Sequence, residues 1–128
     1  MQLHVPVSVG EVLDKITILQ IKLAHISDAN KRVNIQNELD ALLPLVAGDG
    51  FTTNEMQGLM AELKSVNEAL WDIEDDIREK EAAKSFDAEF IKLARAVYVT
   101  NDKRAEIKKQ INLATGSALI EEKSYESY

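Results

Sequence analysis

The chain has 128 residues, no cysteine and a net charge of −7. Its length fits one domain with its own core, and the absence of cysteine excludes disulfides, thiolate zinc sites and cysteine nucleophiles. The acidic balance argues against nucleic acid and anionic membranes as partners, because binding to phosphates rests on clustered Lys and Arg. With no apolar run near the roughly 20 residues of a membrane span and no signal-peptide pattern, we expect a cytoplasmic protein.

The N-terminal segment changes from an extended pattern to a helical one at Ser8. Apolar and polar residues alternate over residues 1–7, around Pro6, which predicts an extended arm along the bundle or, alternatively, an edge strand that pairs with a second copy. Ser8 and Glu11 have the spacing of a capping box. Steps of three and four then predict helix one over about 9–27, with an apolar stripe made of Val9, Val12, Ile16, Leu19, Leu23 and Ile26.

The other side of helix one carries a polar cluster of Glu11, Asp14, Lys15 and Lys22, joined by His25. We interpret it as a solvated face on which Glu11 and Lys15 pair at i,i+4; a ligand or partner site is the alternative. His25 has no second histidine on its face, so we predict no metal site there.

A second apolar stripe predicts helix two over about 30–47. At 100° per residue, this stripe is rotated by about 150° around the helix axis from the stripe of helix one. In one straight helix the two stripes could not pack against the same core. We therefore predict a turn near Asn30, with one continuous helix as the alternative. Pro44 should loosen the end of helix two, and Gly48 should terminate it.

Two long helices with heptad rhythm follow, over about 53–83 and 86–114. Thr52 and Glu55 are predicted to cap the first of them, and Gly116 occupies the position of a helix-ending glycine. The short link between them predicts an antiparallel hairpin. The fold class is therefore all-α: one bundle-like domain, residues 1–128, in which the hairpin packs with two shorter helices and residues 117–128 form a partly mobile tail.

Polar residues interrupt and flank the hairpin seam. A bend at Lys84 and Ser85 would place Trp71 opposite Tyr98, and Asn67 near Asn101. The flank that carries these residues is where we expect helices one and two to pack. Buried polar groups need partners, so we predict either a hydrogen-bonded structural network or a ligand pocket lined by Trp71, Glu74, Arg78, Tyr98, Asn101 and Arg104.

No catalytic constellation is recognisable in the sequence. There is no P-loop, no Gly-x-Gly-x-x-Gly, no His-Glu-x-x-His and no Gly-x-Ser-x-Gly motif, so we assign no catalytic residue, cofactor or metal. The helix predicted over about 53–83, helix three, carries an acidic ridge. We interpret this ridge as a solvated face, because di-metal bundles direct their carboxylates inward together with Glu-x-x-His pairs. The ridge consists of Glu68, Asp72, Asp75, Asp76 and Glu79.

Two stretches, VSVGEVLDKITIL at residues 7–19 and YVTNDKRAEIKKQINLATGSALIEEKSY at residues 98–125, resemble an uncharacterised family of small bacterial proteins. The resemblance implies no activity and assigns no catalytic role. It does imply that certain residues belong to the signature stretches of the family, namely Gly10, Glu11, Asp14, Lys15, Asn101, Arg104, Lys108, Asn112 and Glu122.

Two hypotheses for function follow. The first is a non-enzymatic scaffold or interaction protein that self-associates, with a dimer favoured and a protein partner as a further option. The second is a small-molecule or enzymatic site between the helices. Arg78, Arg95, Arg104 and Lys15 would suit a helical mutase of the chorismate type; Glu11 with Asp14, and Asp72 with Asp75, faintly resemble the magnesium ligands of all-α nucleotide pyrophosphohydrolases.

Overall fold

The computed structural model describes all 128 residues and contains four α-helices and no strand. They are α1 (Val9–His25), α2 (Ala29–Leu42), α3 (Asn54–Ala82) and α4 (Ala88–Thr115). Two short 3-10 turns, Leu43–Val46 and Asp49–Phe51, connect α2 to α3. The predicted all-α class, with two shorter and two long helices, is confirmed. None of the helices has both the length and the apolar character to cross a membrane.

Each α-helix begins with a side chain that accepts a hydrogen bond from its first turn. Ser8 caps α1 as predicted, its hydroxyl accepting from the backbone N–H of Glu11 at 3.2 Å, but the carboxylate of Glu11 turns away to α4, so the capping box is only half formed. The predicted cap at Thr52 is wrong, because Thr52 closes the preceding 3-10 turn by donating to the carbonyl of Asp49. Thr53 caps α3 instead.

The turn predicted near Asn30 is confirmed, and the continuous helix is wrong. α1 ends at His25 and Asp28 caps α2. The guanidinium of Arg32 donates to the carbonyl oxygens of Leu23 and Ile26, which satisfies acceptors that a helix end leaves free.

Pro44 lies in the 3-10 turn that follows α2, so the α-helix ends at Leu42, earlier than predicted. Gly116 ends α4 in the left-handed conformation, with φ of 63°, as expected for a helix-terminating glycine. The N–H of Ser117 then bonds to the carbonyl of Asn112 at 2.9 Å.

α3 and α4 form the antiparallel hairpin, α1 packs against both of them, and α2 packs mainly against α1. The flank of the hairpin predicted to receive the shorter helices is the one that α1 covers. Leu13, Leu63 and Ile111 are completely buried where α1 meets the hairpin. They belong to a core that also contains Val12, Ile16, Leu19, Ile35, Leu39, Met56, Leu59 and Ile107.

The hairpin extends beyond the helices that cover it. None of residues 71–106 is buried, whereas α1, the first half of α3 and the end of α4 supply most of the core. Residues 71–82 of α3 alone span roughly 18 Å at 1.5 Å per residue. We call residues 71–97 the distal hairpin.

Candidate functional site

A polar network joins α1, α3 and α4 inside the bundle, around Asn67. The side-chain amide of Asn67 donates to the carboxylate of Asp14 at 2.9 Å and to the hydroxyl of Thr17 at 2.8 Å. Arg104 of α4 donates to the amide oxygen of Asn67 over 3.4 Å. Asp14, Thr17 and Asn67 are all buried, so each of these bonds replaces water that the group has lost.

Lys108 extends this network from α4 to the C-terminal tail. Its Nζ lies 2.7 Å from the carboxylate of Glu11, 3.6 Å from that of Asp14 and 3.5 Å from that of Glu121. Burial of the ammonium lowers the pKa of Lys108, but the hydrogen bond to Glu11 and the nearby carboxylates outweigh this effect, and the pKa is raised overall. The same hydrogen bond lowers the pKa of Glu11.

The first turn of α1 approaches α4 closely at Gly10. Its backbone N–H donates to the Oδ1 of Asn112 at 2.7 Å, and the preceding N–H, from Val9, donates to the hydroxyl of Ser117 at 3.1 Å. A Cβ atom on Gly10 would lie 2.7 Å from the carbonyl oxygen of Lys108. The crossing of α1 and α4 therefore requires glycine, and α4 and the tail satisfy N–H groups that would otherwise need water.

The C-terminal tail folds back along α4 and encloses a cleft of about 880 Å³. Tyr128 fixes the end of the tail: its hydroxyl donates to Asp102 at 2.5 Å, and its ring packs edge-on against Tyr98, with centroids 5.3 Å apart. An ion pair of 3.3 Å between Lys109 and Glu122 holds the middle. Asn101 and Arg104 also line this cleft.

The structure divides the six residues predicted to form a pocket into two groups. Tyr98, Asn101 and Arg104 line the cleft. The other three lie outside it: Trp71 stacks on His25 with centroids 4.8 Å apart, and Arg78 pairs with Glu74 on the exposed surface of α3.

The register of the hairpin is close to the prediction. Asn67 contacts Arg104, within one turn of Asn101 and Asp102, the two residues that the prediction placed beside it. The link occupies residues 83–87, because α3 ends at Ala82 and Asp87 caps α4. Its centre at residue 85 is half a residue later than a bend at Lys84 and Ser85, so the register does not account for this division.

The polar cluster predicted on helix one is not a uniform solvated face. Asp14 is buried, and Glu11 pairs with Lys108 rather than with Lys15, so the predicted i,i+4 pair is wrong. Lys15 instead reaches Glu38 of α2 at 3.3 Å. Lys22 lies half-buried in the last turn of α1. The prediction for Glu11 fails because the side chain of Lys108, from α4, lies between Glu11 and Asp14.

The sequence did not predict the contacts of the network that join α1, near the start of the chain, to α4 and the tail, near its end. Thr17 gave no signal, because a lone threonine in an apolar helix is compatible with simple packing. The acidic ridge of α3 is exposed as predicted. No group of three or more histidine or acidic side chains is placed to hold a metal ion.

These features define an all-α bundle in which a buried network ties the start of the chain to α4 and the tail. Residues 3–128 match the model of a family described as a family of unknown function (DUF6165), and the chain belongs to that family. This confirms the resemblance seen in the two signature stretches. Comparison with curated proteins and with solved structures gave no match.

Proposed function

We propose that this chain is a non-enzymatic interaction protein that self-associates, and that a second copy covers the distal hairpin. The observation that carries the proposal is that none of residues 71–97 is buried, although they contain a heptad seam. The seam residues Ile73, Ile77, Phe90, Leu93 and Val97 are only half-buried there. A second hairpin would convert this pair of helices into a four-helix arrangement, in which such seams are normally covered.

The exposed area of the chain supports the same proposal. The accessible surface is 8704 Å², whereas a folded monomer of this mass is expected to expose roughly 6,800 Å². The difference of roughly 1,900 Å² includes the N-terminal arm and the distal hairpin. It exceeds the approximately 800 Å² per partner that a standard protein interface buries.

Two side chains provide apolar anchors for such an interface. Phe86 is 56% exposed and Ile91 is 57% exposed, and the ring of Phe86 packs edge-on against Phe90 at 5.2 Å. Aromatic and aliphatic anchors of this kind carry most of the energy of an interface.

The charges of the distal hairpin favour a second copy as the occupant. The exposed side of α3 is acidic, whereas α4 presents the exposed cations Lys92 and Arg95. In a two-fold dimer each subunit contributes the same patch, so a contact between α3 of one copy and α4 of the other occurs twice. An antiparallel pairing would place acidic and basic surfaces together and would weaken at high salt.

Sedimentation equilibrium tests the proposal. The wild-type protein is expected to be a dimer, and the double variant Phe86→Glu, Ile91→Glu a monomer with unchanged helical content. Val33→Glu is the matched control, because Val33 is 59% exposed but lies on α2, and it should leave the dimer intact. A wild-type monomer, or a dimer that survives the double substitution, would refute the assignment.

The enzymatic alternatives receive no specific support from the geometry. The ammonium of Lys108 lies between Glu11 and Asp14, and Asp72 and Asp75 are exposed on α3. A role in the cytoplasm stays a prediction from the sequence.

A further inference from the structure

The cleft between α4 and the tail contains one cation that forms no ion pair within the chain. Of the four basic residues that line it, Lys108, Lys109 and Lys123 each form an ion pair within the chain. Arg104 forms none; its single hydrogen bond, 3.4 Å long, goes to the amide oxygen of Asn67. A guanidinium has five N–H donors, so most of the donors of Arg104 are free for a ligand.

Asn101 provides a second unused group one turn away. Its Oδ1 is buried and accepts no hydrogen bond, which is rare for a buried polar atom. The terminal torsion of an asparagine side chain is soft, and a half-turn of the amide would exchange Oδ1 with Nδ2, so that Oδ1 can face the cleft that this residue lines. Residues three apart on a helix have Cβ atoms about 5–6 Å apart, so one small molecule can contact both side chains.

From these two groups we propose that the cleft binds a small organic carboxylate with a hydroxyl or amino group beside the carboxylate. Arg104 binds the carboxylate through its planar fork, the geometry in which guanidinium groups pair with carboxylates. Asn101 accepts a hydrogen bond from the neighbouring O–H or N–H. The exposed part of Tyr98 and the ring of Tyr128 form a wall for the body of the molecule.

The charge of the cleft favours a singly charged ligand over a phosphate dianion. Its lining has five carboxylates and four cations: Asp102, Glu106, Glu121, Glu122 and Glu126 against Arg104, Lys108, Lys109 and Lys123. On this slightly acidic surface, Arg104 is the only unpaired cation, so it could balance one of the two negative charges of a dianion and leave the other unbalanced. A monocarboxylate needs only one cation, and an amino group would also be attracted by the surplus of acid.

The Asn67 network gives Arg104 the support that a binding residue needs. The side chain of Asn67 is held by hydrogen bonds to Asp14 and Thr17. Its amide oxygen accepts one N–H of Arg104, and the other N–H donors of Arg104 remain free. Val97 is the only lining residue of the cleft that belongs to the distal hairpin, so the proposed site does not depend on self-association.

A nitrogen–proton NMR titration of the full-length protein tests the proposal, because it detects the side-chain signals of Arg104 and Asn101 directly. The probes are l-phenyllactate, l-phenylalanine, hydrocinnamate and inorganic phosphate, at constant ionic strength and up to millimolar concentration. Hydrocinnamate has the same skeleton without the hydroxyl or amino group. We expect phenyllactate or phenylalanine to shift both signals and to bind about ten-fold tighter than hydrocinnamate, the effect of one hydrogen bond.

Two variants separate binding from folding. Asn101→Ala should bind the three carboxylates equally and melt no lower than the wild type, because it removes a buried oxygen that has no partner. Arg104→Lys should weaken binding about ten-fold or more, since it loses the planar fork. Arg95→Lys, an exposed position on the same helix outside the cleft, should not change it.

Three results would overturn the proposal. The first is that no carboxylate shifts the Arg104 and Asn101 signals. The second is that Asn101→Ala retains the preference for phenyllactate or phenylalanine. The third is that inorganic phosphate binds more tightly than the carboxylates, which would make the site a phosphate site.

Discussion

Replacing Gly10 with alanine should destabilise the fold, although alanine is the better helix former. Gly10 lies in α1, where its N–H donates to the buried Oδ1 of Asn112 at 2.7 Å. A Cβ atom would lie 2.7 Å from the backbone carbonyl oxygen of Lys108 and 3.0 Å from that Oδ1. Because the closest atom belongs to the backbone of α4, the clash cannot be relieved by moving a flexible side chain.

The expected magnitude follows from three terms. Overpacking at a helix crossing costs about 1–3 kcal/mol, and lengthening the hydrogen bond to a buried acceptor costs about 1–3 kcal/mol. Replacing glycine in a helix returns about 0.5–1 kcal/mol. We therefore expect the free energy of unfolding to fall by about 3 kcal/mol, which lowers the melting temperature by roughly 10 °C for a chain of this size.

Gly58 is the matched control. It lies on the exposed side of α3, and a Cβ atom there would have no neighbour within 4 Å, so Gly58→Ala should stabilise the protein by about 0.5–1 kcal/mol. Urea denaturation followed by circular dichroism measures both variants, at equal protein concentration because the proposed self-association would add to apparent stability. If Gly10→Ala is as stable as the wild type, or shifts in the same direction as Gly58→Ala, the close crossing does not exist.

Three further predictions concern polar groups. Asn67→Leu leaves the buried carboxylate of Asp14 without its amide donor and should lower the free energy of unfolding in urea by about 2–3 kcal/mol; a neutral effect would contradict the network. Because the hydrogen bond from Lys108 lowers the pKa of Glu11, the stability lost in Glu11→Gln should be complete above the ordinary pKa of 4.5, decrease as the pH falls below 4.5 and vanish once the pH passes the lowered pKa; a difference independent of pH would exclude the ion pair. The pKa of Asp87 is lowered to about 2, chiefly by the hydrogen bond from the backbone N–H of Phe90 and next by the one from Lys80. The gap in melting temperature between Asp87→Ala and wild type should therefore be widest above pH 3.8 and shrink as the pH falls towards 2, where only the cap made by the neutral carboxyl remains; a gap that does not shrink would refute this.

The fold was largely predictable because the helices are amphipathic and their ends carry local signals. The change of phase between the stripes of helices one and two predicted the turn, which Asp28 and Arg32 complete. The cap of α3 was misplaced by one residue, because Thr52 and Thr53 have equal capping chemistry. The preceding 3-10 turn, which decides between them, has no distinctive sequence pattern.

The candidate site was only partly predictable, because its contacts join residues far apart in the chain. The heptad phase placed Tyr98 and Asn101 on one flank of α4 and Arg104 on the adjoining seam, and all three line the cleft. No local pattern indicates that Lys108 reaches Glu11, or that the tail folds back to bring Tyr128 to Asp102. Within α1 alone, the only signal for Glu11 is its i,i+4 spacing from Lys15, and this spacing predicts a solvated pair.

The two signature stretches become one structural unit in the folded chain. Residues 7–19 supply Gly10, Glu11 and Asp14, and residues 98–125 supply Arg104 and Lys108, so both stretches meet in one network. The distal hairpin, residues 71–97, lies outside both stretches. The two proposals can therefore be tested independently: most of the cleft lining belongs to the stretch at residues 98–125, whereas the proposed self-association surface belongs to neither stretch. The family model covers residues 3–128 and so includes the distal hairpin as well as the cleft.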